Sequence, residues 1–227
     1  MASLSDLVPN LAVPDLAGST PLWLGLATVL VNAIVGALRG LLDHSRDWDL
    51  VGVSAFALLM GLGGGFIRDL LIGNLPAESL RSPWFLATVI LGITIARVGH
   101  RAITRLDAVF VHLNALALGL FAVVGASYAT AFGLPFVSAV LIGTLSAVGG
   151  GMLVSVLMGE VPRILLAGAP NALLAVWGSV AYLVVARVNP AAASLVGIAT
   201  VMVAQTVSLR LGLTTRPTHG RLSAPDP

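Results

Sequence analysis

The stretch Gly63-Gly64-Gly65-Phe66-Ile67-Arg68-Asp69-Leu70-Leu71-Ile72-Gly73-Asn74-Leu75-Pro76 sets three consecutive glycines inside an apolar run, with an Arg-Asp pair one turn later. The chain repeats it as Gly149-Gly150-Gly151-Met152-Leu153-Val154-Ser155-Val156-Leu157-Met158-Gly159-Glu160-Val161-Pro162. The offset, from 63 to 149, is 86 residues and holds from the first glycine to the proline. The triplet, the later glycine and the proline recur; Arg-Asp does not. An interrupted apolar segment at corresponding positions of two halves points to an intramembrane site.

Composition supplies the setting. Of 227 residues, 57% are hydrophobic and 10% charged, against about 25% charge in a soluble domain. Polar groups are too few to cover a globular surface, so the chain reads as an all-α polytopic membrane protein. Cysteine is absent, which excludes disulfides, cysteine–zinc sites and thiol chemistry. All twelve basic residues are arginine, and the net charge is only +2. That pattern fits arginines at helix ends better than a nucleic-acid surface. No hydrolase, metalloprotease or dinucleotide motif is present, and the chain is expected not to be an enzyme, with no metal and no cofactor. The first twenty residues lack a signal peptide's basic region and are expected to be a short tail.

A spanning helix needs roughly 20 apolar residues. Seven are expected, over 21–42, 50–74, 84–99, 108–131, 136–159, 169–187 and 191–211, with a polar, disordered tail to 227. The motif falls in the second and the fifth. The duplicated unit therefore holds three helices, 21–106 and then 107–189. Three is odd, so the second copy enters the membrane from the opposite face and the repeats are inverted. Residues 190–212 carry a seventh helix outside the repeat and 213–227 the tail. An outside N-terminus and a cytoplasmic C-terminus put nine arginines inside against three outside, as the positive-inside rule requires.

Glycine costs about 1 kcal/mol against alanine within a helix, so three in a row predict a kink or break in helices two and five. Carbonyls freed around Met60 to Leu62 and Ser146 to Val148 would offer partial negative charge to a cation. Close helix packing is the bland alternative for such glycines. Arg68 and Asp69 at membrane depth call for a cavity or a partner; the pair reads equally as a pin between helices and as part of a path, with Asp69 in the first turn of a second half-helix. Asn32 and Arg39 share a face. Asn114, Thr144, Ser146, Ser155 and Gln205 are weaker signals. Arg39 with Asp43, and Glu160 with Arg163, read as structural pairs near the interface. The candidate ion path is Gly63, Gly64, Gly65, Arg68, Asp69, Ser146, Gly149, Gly150, Gly151 and Ser155.

The run Gly63-Gly64-Gly65-Phe66-Ile67-Arg68-Asp69 with Pro76 resembles the signature of the prokaryotic trimeric intracellular cation (TRIC) channels, a group overlapping a bacterial family also labelled glycine transporter. The resemblance covers nearly the whole chain. It implies seven spans as three plus three plus one, a homotrimer among membrane lipids in a prokaryotic plasma membrane, and one pore per subunit. It also implies helices two and five lining that pore at their glycines, and potassium as the permeant ion. Many bacterial members carry Arg-Asp in both copies; here Val154-Ser155 stands in the second, and the family's role is not carried to those two residues. Inverted repeats equally suit a secondary transporter of a small amino acid such as glycine.

Overall fold

The computed structural model describes residues 21–43, 45–104, 107–166 and 170–213. The expected tails, 1–20 and 214–227, lie outside the described residues. Among the described residues, eight α-helices follow one another: α1 Leu22–Leu41, α2 Leu50–Ile72, α3 Glu78–Arg81, α4 Pro83–Thr104, α5 Asp107–Ala131, α6 Phe136–Leu157, α7 Asn171–Ala186 and α8 Pro190–Arg210. Five of them, α1, α2, α5, α6 and α8, are long and apolar enough to cross a membrane. The expected spans 84–99 and 169–187 correspond to shorter apolar helices, Pro83–Gly99 within α4 and Asn171–Ala186. The four-residue α3 was not anticipated.

The core is a stack of small residues and apolar side chains. α1 packs on α2 and α4 through Ala33, Ala37, Leu38, Val53, Ala57 and Val89, all buried. α5 packs on α6, α7 and α8 through Phe121, Ala122, Ala147, Ala175 and Val201. Outward faces remain apolar: Trp23, Trp84, Val98, Val137 and Leu195 are all exposed. Trp23 and Trp84 begin α1 and α4, where an indole suits a membrane–water boundary.

Neither triple glycine interrupts its helix. α2 runs unbroken from Leu50 to Ile72 and α6 from Phe136 to Leu157. Of the expected kink or break, the break does not occur, for two physical reasons. Inside apolar surroundings, opening the backbone ladder would strand amide and carbonyl groups with no water to receive them. The glycines instead let two backbones touch: a Cβ on Gly64 would overlap the Ser146 carbonyl oxygen, and one on Gly150 would lie 2.7 Å from the Met60 carbonyl oxygen.

The repeat is visible in how the two helices end. Gly73 and Gly159, 86 residues apart, both have positive φ, 75° and 67°. The next amide then closes on the helix: Asn74 N–H donates to the Asp69 carbonyl at 2.8 Å, and Glu160 N–H to the Ser155 carbonyl at 2.9 Å. A left-handed residue there stops a helix, and glycine adopts it without a Cβ clash.

Candidate functional site

α2 and α6 cross at their glycines. Gly63 faces Leu153 and Gly150; Gly64 abuts Ser146; Gly149 receives the Ile67 side chain; Gly150 abuts Met60 and Leu59. The Ser146 hydroxyl donates to the Gly64 carbonyl at 3.2 Å. The crossing is therefore closed, and a recess lies on either side of it.

The larger recess, about 790 Å³, runs between α1, α5, α6 and α8. Its polar lining includes Asn32 and Arg39 from α1, Asn114 from α5, Ser155 from α6, Glu160 and Gln205. Gly151 faces it too. It reaches Asp43, Glu160 and Leu209, at the end of the molecule where α1, α6 and α8 finish. The smaller recess, about 30 Å³, is lined by Thr28, Gly61, Gly65, Arg68, Glu78 and Ser79, toward the end where α2 finishes. The two share a register. Thr28, Gly61, Leu62, Gly65 and Glu78 line the small one; the residues 86 positions on, Asn114, Ala147, Val148, Gly151 and Ile164, all line the large one.

Arg68 and Asp69 seal the small side. They are 4% and 1% exposed, and they do pair: Arg68 Nε donates to Asp69 Oδ1 at 2.8 Å. Arg68 also bridges Glu78 at 3.3 Å and stacks on the Tyr128 ring, 3.6 Å from its centre. The Tyr128 hydroxyl donates to the Glu78 carboxylate. Asp69 Oδ2 accepts from the Glu78 amide at 2.9 Å. Asp69 lies in the last turn of a continuous helix, not in the first turn of a new one. The dipole disfavours an anion there, and the guanidinium and the amide offset it. Buried charges are kept only when paired and hydrogen-bonded in this way. These contacts join α2 to α3 and α5. Glu78 and Tyr128 are the partners that sequence reading missed. Glu78 lies in the Pro/Ser-rich turn, and its spacing from Arg68, ten residues across a helix end, carries no periodic signal.

Arg39 departs from its expected i,i+4 partner. It donates to Ser155 Oγ at 2.9 Å and bridges Glu160 at 3.1 Å, while Asp43 accepts from Ser45 and from the Trp48 indole at 2.7 Å. The Ser45 side-chain bond, then that of Trp48, lowers the Asp43 carboxyl from 3.8 to about 2. The expected Glu160–Arg163 pair lies outside the described residues, because the Arg163 side chain is among those not described. Thr144 bonds back to its own helix at Val140. Among the described residues, no three His, Asp or Glu side chains gather as a metal site.

The glycine transporter family profile matches residues 22–101 and 111–187, two blocks that share the triple glycine and its cap. The chain belongs to the glycine transporter family. Within this family-sized match, two curated membrane proteins are similar: a UPF0126 membrane protein of Deinococcus radiodurans, 35% identical over 54% of this chain and 56% of its own length, and the UPF0126 membrane protein YvgT of Bacillus subtilis, 30% identical over 53% and 61%. The chain thus spans little more than half the length of these relatives. The fold of this chain is also that of solved TRIC channels. A structure from work on conductance through TRIC cation channels superposes with a TM-score of 0.77 at 27% identity, covering 90% of this chain and all of the other. The trimeric intracellular cation channel orthologue from Rhodobacter sphaeroides gives 0.72 at 27%, covering 85% and 98%.

Proposed function

We propose that this protein is a cation channel, permeable to potassium, with one path per subunit along the α2–α6 crossing. The observation that carries the reading is the pair of recesses in one register on opposite sides of that crossing, the larger of them polar and open at one end. The likeness in fold to TRIC cation channels supports it. On this reading the path joins the two recesses when the crossing at Gly63–Gly65 and Gly149–Gly151 loosens or bends. Ser146 and Ser155 flank it on one side, Arg68 and Asp69 on the other. The helices form seven spans: an inverted pair of three-helix units, 21–106 and 107–189, with α8 outside it. The C-terminus and the large recess face the cytoplasm of a prokaryotic cell, and three copies assemble, as in the trimeric relative.

The second reading is a carrier of a small amino acid such as glycine. The family's name suggests it, and the inequality of the recesses favours it, since inverted repeats in unlike conformations are how carriers expose a site to one face at a time. Reconstitution in liposomes separates the two. A channel passes potassium down its gradient without a co-substrate, far faster than carrier turnover; a carrier takes up glycine saturably and coupled to an ion. Glycine uptake without potassium flux would reject the channel. Asp69→Asn that still assembles and conducts at the wild-type rate would remove Asp69 from the path.

A further inference from the structure

Val154 and Ser155 occupy the positions that correspond to Arg68 and Asp69. The second copy of the motif has lost its charges, yet the fold delivers a guanidinium to the same place from another helix. Arg39 Nη2 donates to Ser155 Oγ at 2.9 Å, Nη1 to the Gly151 carbonyl at 3.4 Å, and Nη2 lies 3.1 Å from Glu160 Oε2. At the other end Arg68 bonds Asp69 at 2.8 Å and Glu78 at 3.3 Å. Both ends thus hold one guanidinium, bonded to the side chain at the aspartate position and to a glutamate beyond the helix's glycine cap. They differ in burial. The Arg68 and Asp69 side chains are 5% and 1% exposed, those of Arg39 and Glu160 20% and 44%. An ion pair this exposed is held weakly, and its charges act outward on the recess.

We infer that Arg39 and Glu160 tune the electrostatic potential of the large recess, to which Asp43 adds its charge, and thereby the preference of the recess for cations over anions. Among the described residues, the charged side chains lining the recess are Arg39, Asp43 and Glu160, a net charge of minus one. Asp43 is held by Ser45 and Trp48. Nearby Arg46 donates to the Met158 carbonyl and lies 5.7 Å from the Trp48 ring centre, outside the lining. Removing Glu160 brings the lining to zero and leaves Arg39 with the uncharged acceptors Ser155 and Gly151 alone; removing Arg39 brings it to minus two. Narrow, low-dielectric walls amplify such differences. The consequence for ion flux rests on the channel reading; the potential itself does not.

The absence of cysteine permits a direct measurement. Reporter cysteines at Asn114→Cys, inside the recess, and Leu209→Cys, at its mouth, are reacted with cationic and with anionic methanethiosulfonate reagents, and the ratio of the two rates is taken. In both backgrounds Glu160→Gln lowers the cation-to-anion ratio by at least about threefold and Arg39→Gln raises it by at least about threefold. Arg39→Lys, which keeps the charge but not the fork, stays within about twofold of the parent, and high salt shrinks every difference. A pair that only held α1 to α6 would change the melting temperature and leave the ratios alone; unchanged ratios in both variants overturn the inference. Potassium flux in liposomes at low ionic strength follows the same order, Arg39→Gln above wild type and Glu160→Gln below. Ratios that shift as expected in a protein without cation flux reject the channel and keep the pair's role. Flux that is normal and indifferent to both variants rejects the role and keeps the channel.

Discussion

Gly64 and Gly65 are neighbours in sequence with opposite needs. A methyl on Gly64 would overlap the Ser146 carbonyl, while one on Gly65 meets nothing within 4 Å. Gly64→Ala should therefore force α2 and α6 apart at a cost of about 1–3 kcal/mol. Gly65→Ala should be neutral or stabilising by up to about 1 kcal/mol, because alanine is the better helix former. Melting temperatures of the two purified variants, compared in one detergent, check both. Asp69→Asn makes a second prediction at this scale. It leaves the guanidinium of Arg68 buried beside a weaker acceptor, with only Glu78 to balance it, and should cost about 3–5 kcal/mol, the usual loss when one partner of a buried ion pair is removed. A thermal-denaturation series would show a loss far beyond that of a surface Asp47→Asn control. Sequence alone showed that Arg68 and Asp69 needed partners; it could not supply them, because Tyr128 comes from α5 and meets Arg68 only once α2 and α5 are packed. Arg39 was legible in half. Its seven-residue spacing from Asn32 put both on one face, and both line the large recess. Its pairing was misassigned, since Asp43 is nearer in sequence but turned toward Ser45 and Trp48.

Local chemistry at the ends of the elements explains more of the architecture than helix propensity does. Asp49 caps α2, accepting from the Gly52 amide at 2.8 Å, and Asp49→Ala should cost about 1 kcal/mol. The loop between α1 and α2 carries a pH signature. The folded Asp43 carboxyl titrates near 2, against 3.8 ordinarily. A depressed carboxylate gives stability that is complete above its unfolded value and disappears as pH falls through its folded one. The loop should thus keep its Ser45 and Trp48 contacts from neutral pH to about 4 and lose them toward pH 2, which Trp48 fluorescence in a variant lacking Trp23, Trp84 and Trp177 would follow; Asp43→Asn should flatten that transition. Helix boundaries were readable because glycine and proline punctuate them: 50–74 was expected where α2 covers Leu50–Ile72, and 191–211 where α8 covers Pro190–Arg210. The break at the triple glycines was expected for a reason that fails in apolar surroundings. Propensity scales measured in water count the exposure of a glycine backbone as a loss, whereas here a second helix covers Gly63, Gly64, Gly149 and Gly150.

For the whole molecule, duplication is the feature most legible in the chain. An 86-residue offset first seen in fourteen residues is repeated in the backbone of their αL caps and extends to the linings of two recesses. The difference in size between those recesses was not legible, because it depends on positions where the two copies differ: Arg68, Glu78 and Tyr128 fill one end, and Val154, Ile164 and Leu42 stand at the matching positions of the other. The exposed apolar belt, with Leu70, Val98, Val137 and Leu195 all outward, must meet lipid or further copies. If three copies assemble, light scattering of the detergent-solubilised protein, corrected for bound detergent, should give three times the monomer mass.

The unequal recesses also decide where a voltage would act. Water filling a recess of about 790 Å³ carries the potential of one bulk phase inward beside Gly151, whereas a space of about 30 Å³ beneath Arg68 admits only about one or two molecules. A voltage across a membrane holding this protein would therefore not fall evenly along its helices. Most of the drop would be compressed into the closed layer between the glycine crossing and the Arg68–Asp69–Glu78 cluster. A full unit charge crossing that layer would exchange close to the whole of the roughly 2.3 kcal/mol available per 100 mV. The electrical thickness of the protein would then be a fraction of its physical thickness, with its most tightly paired charges standing where the field is steepest.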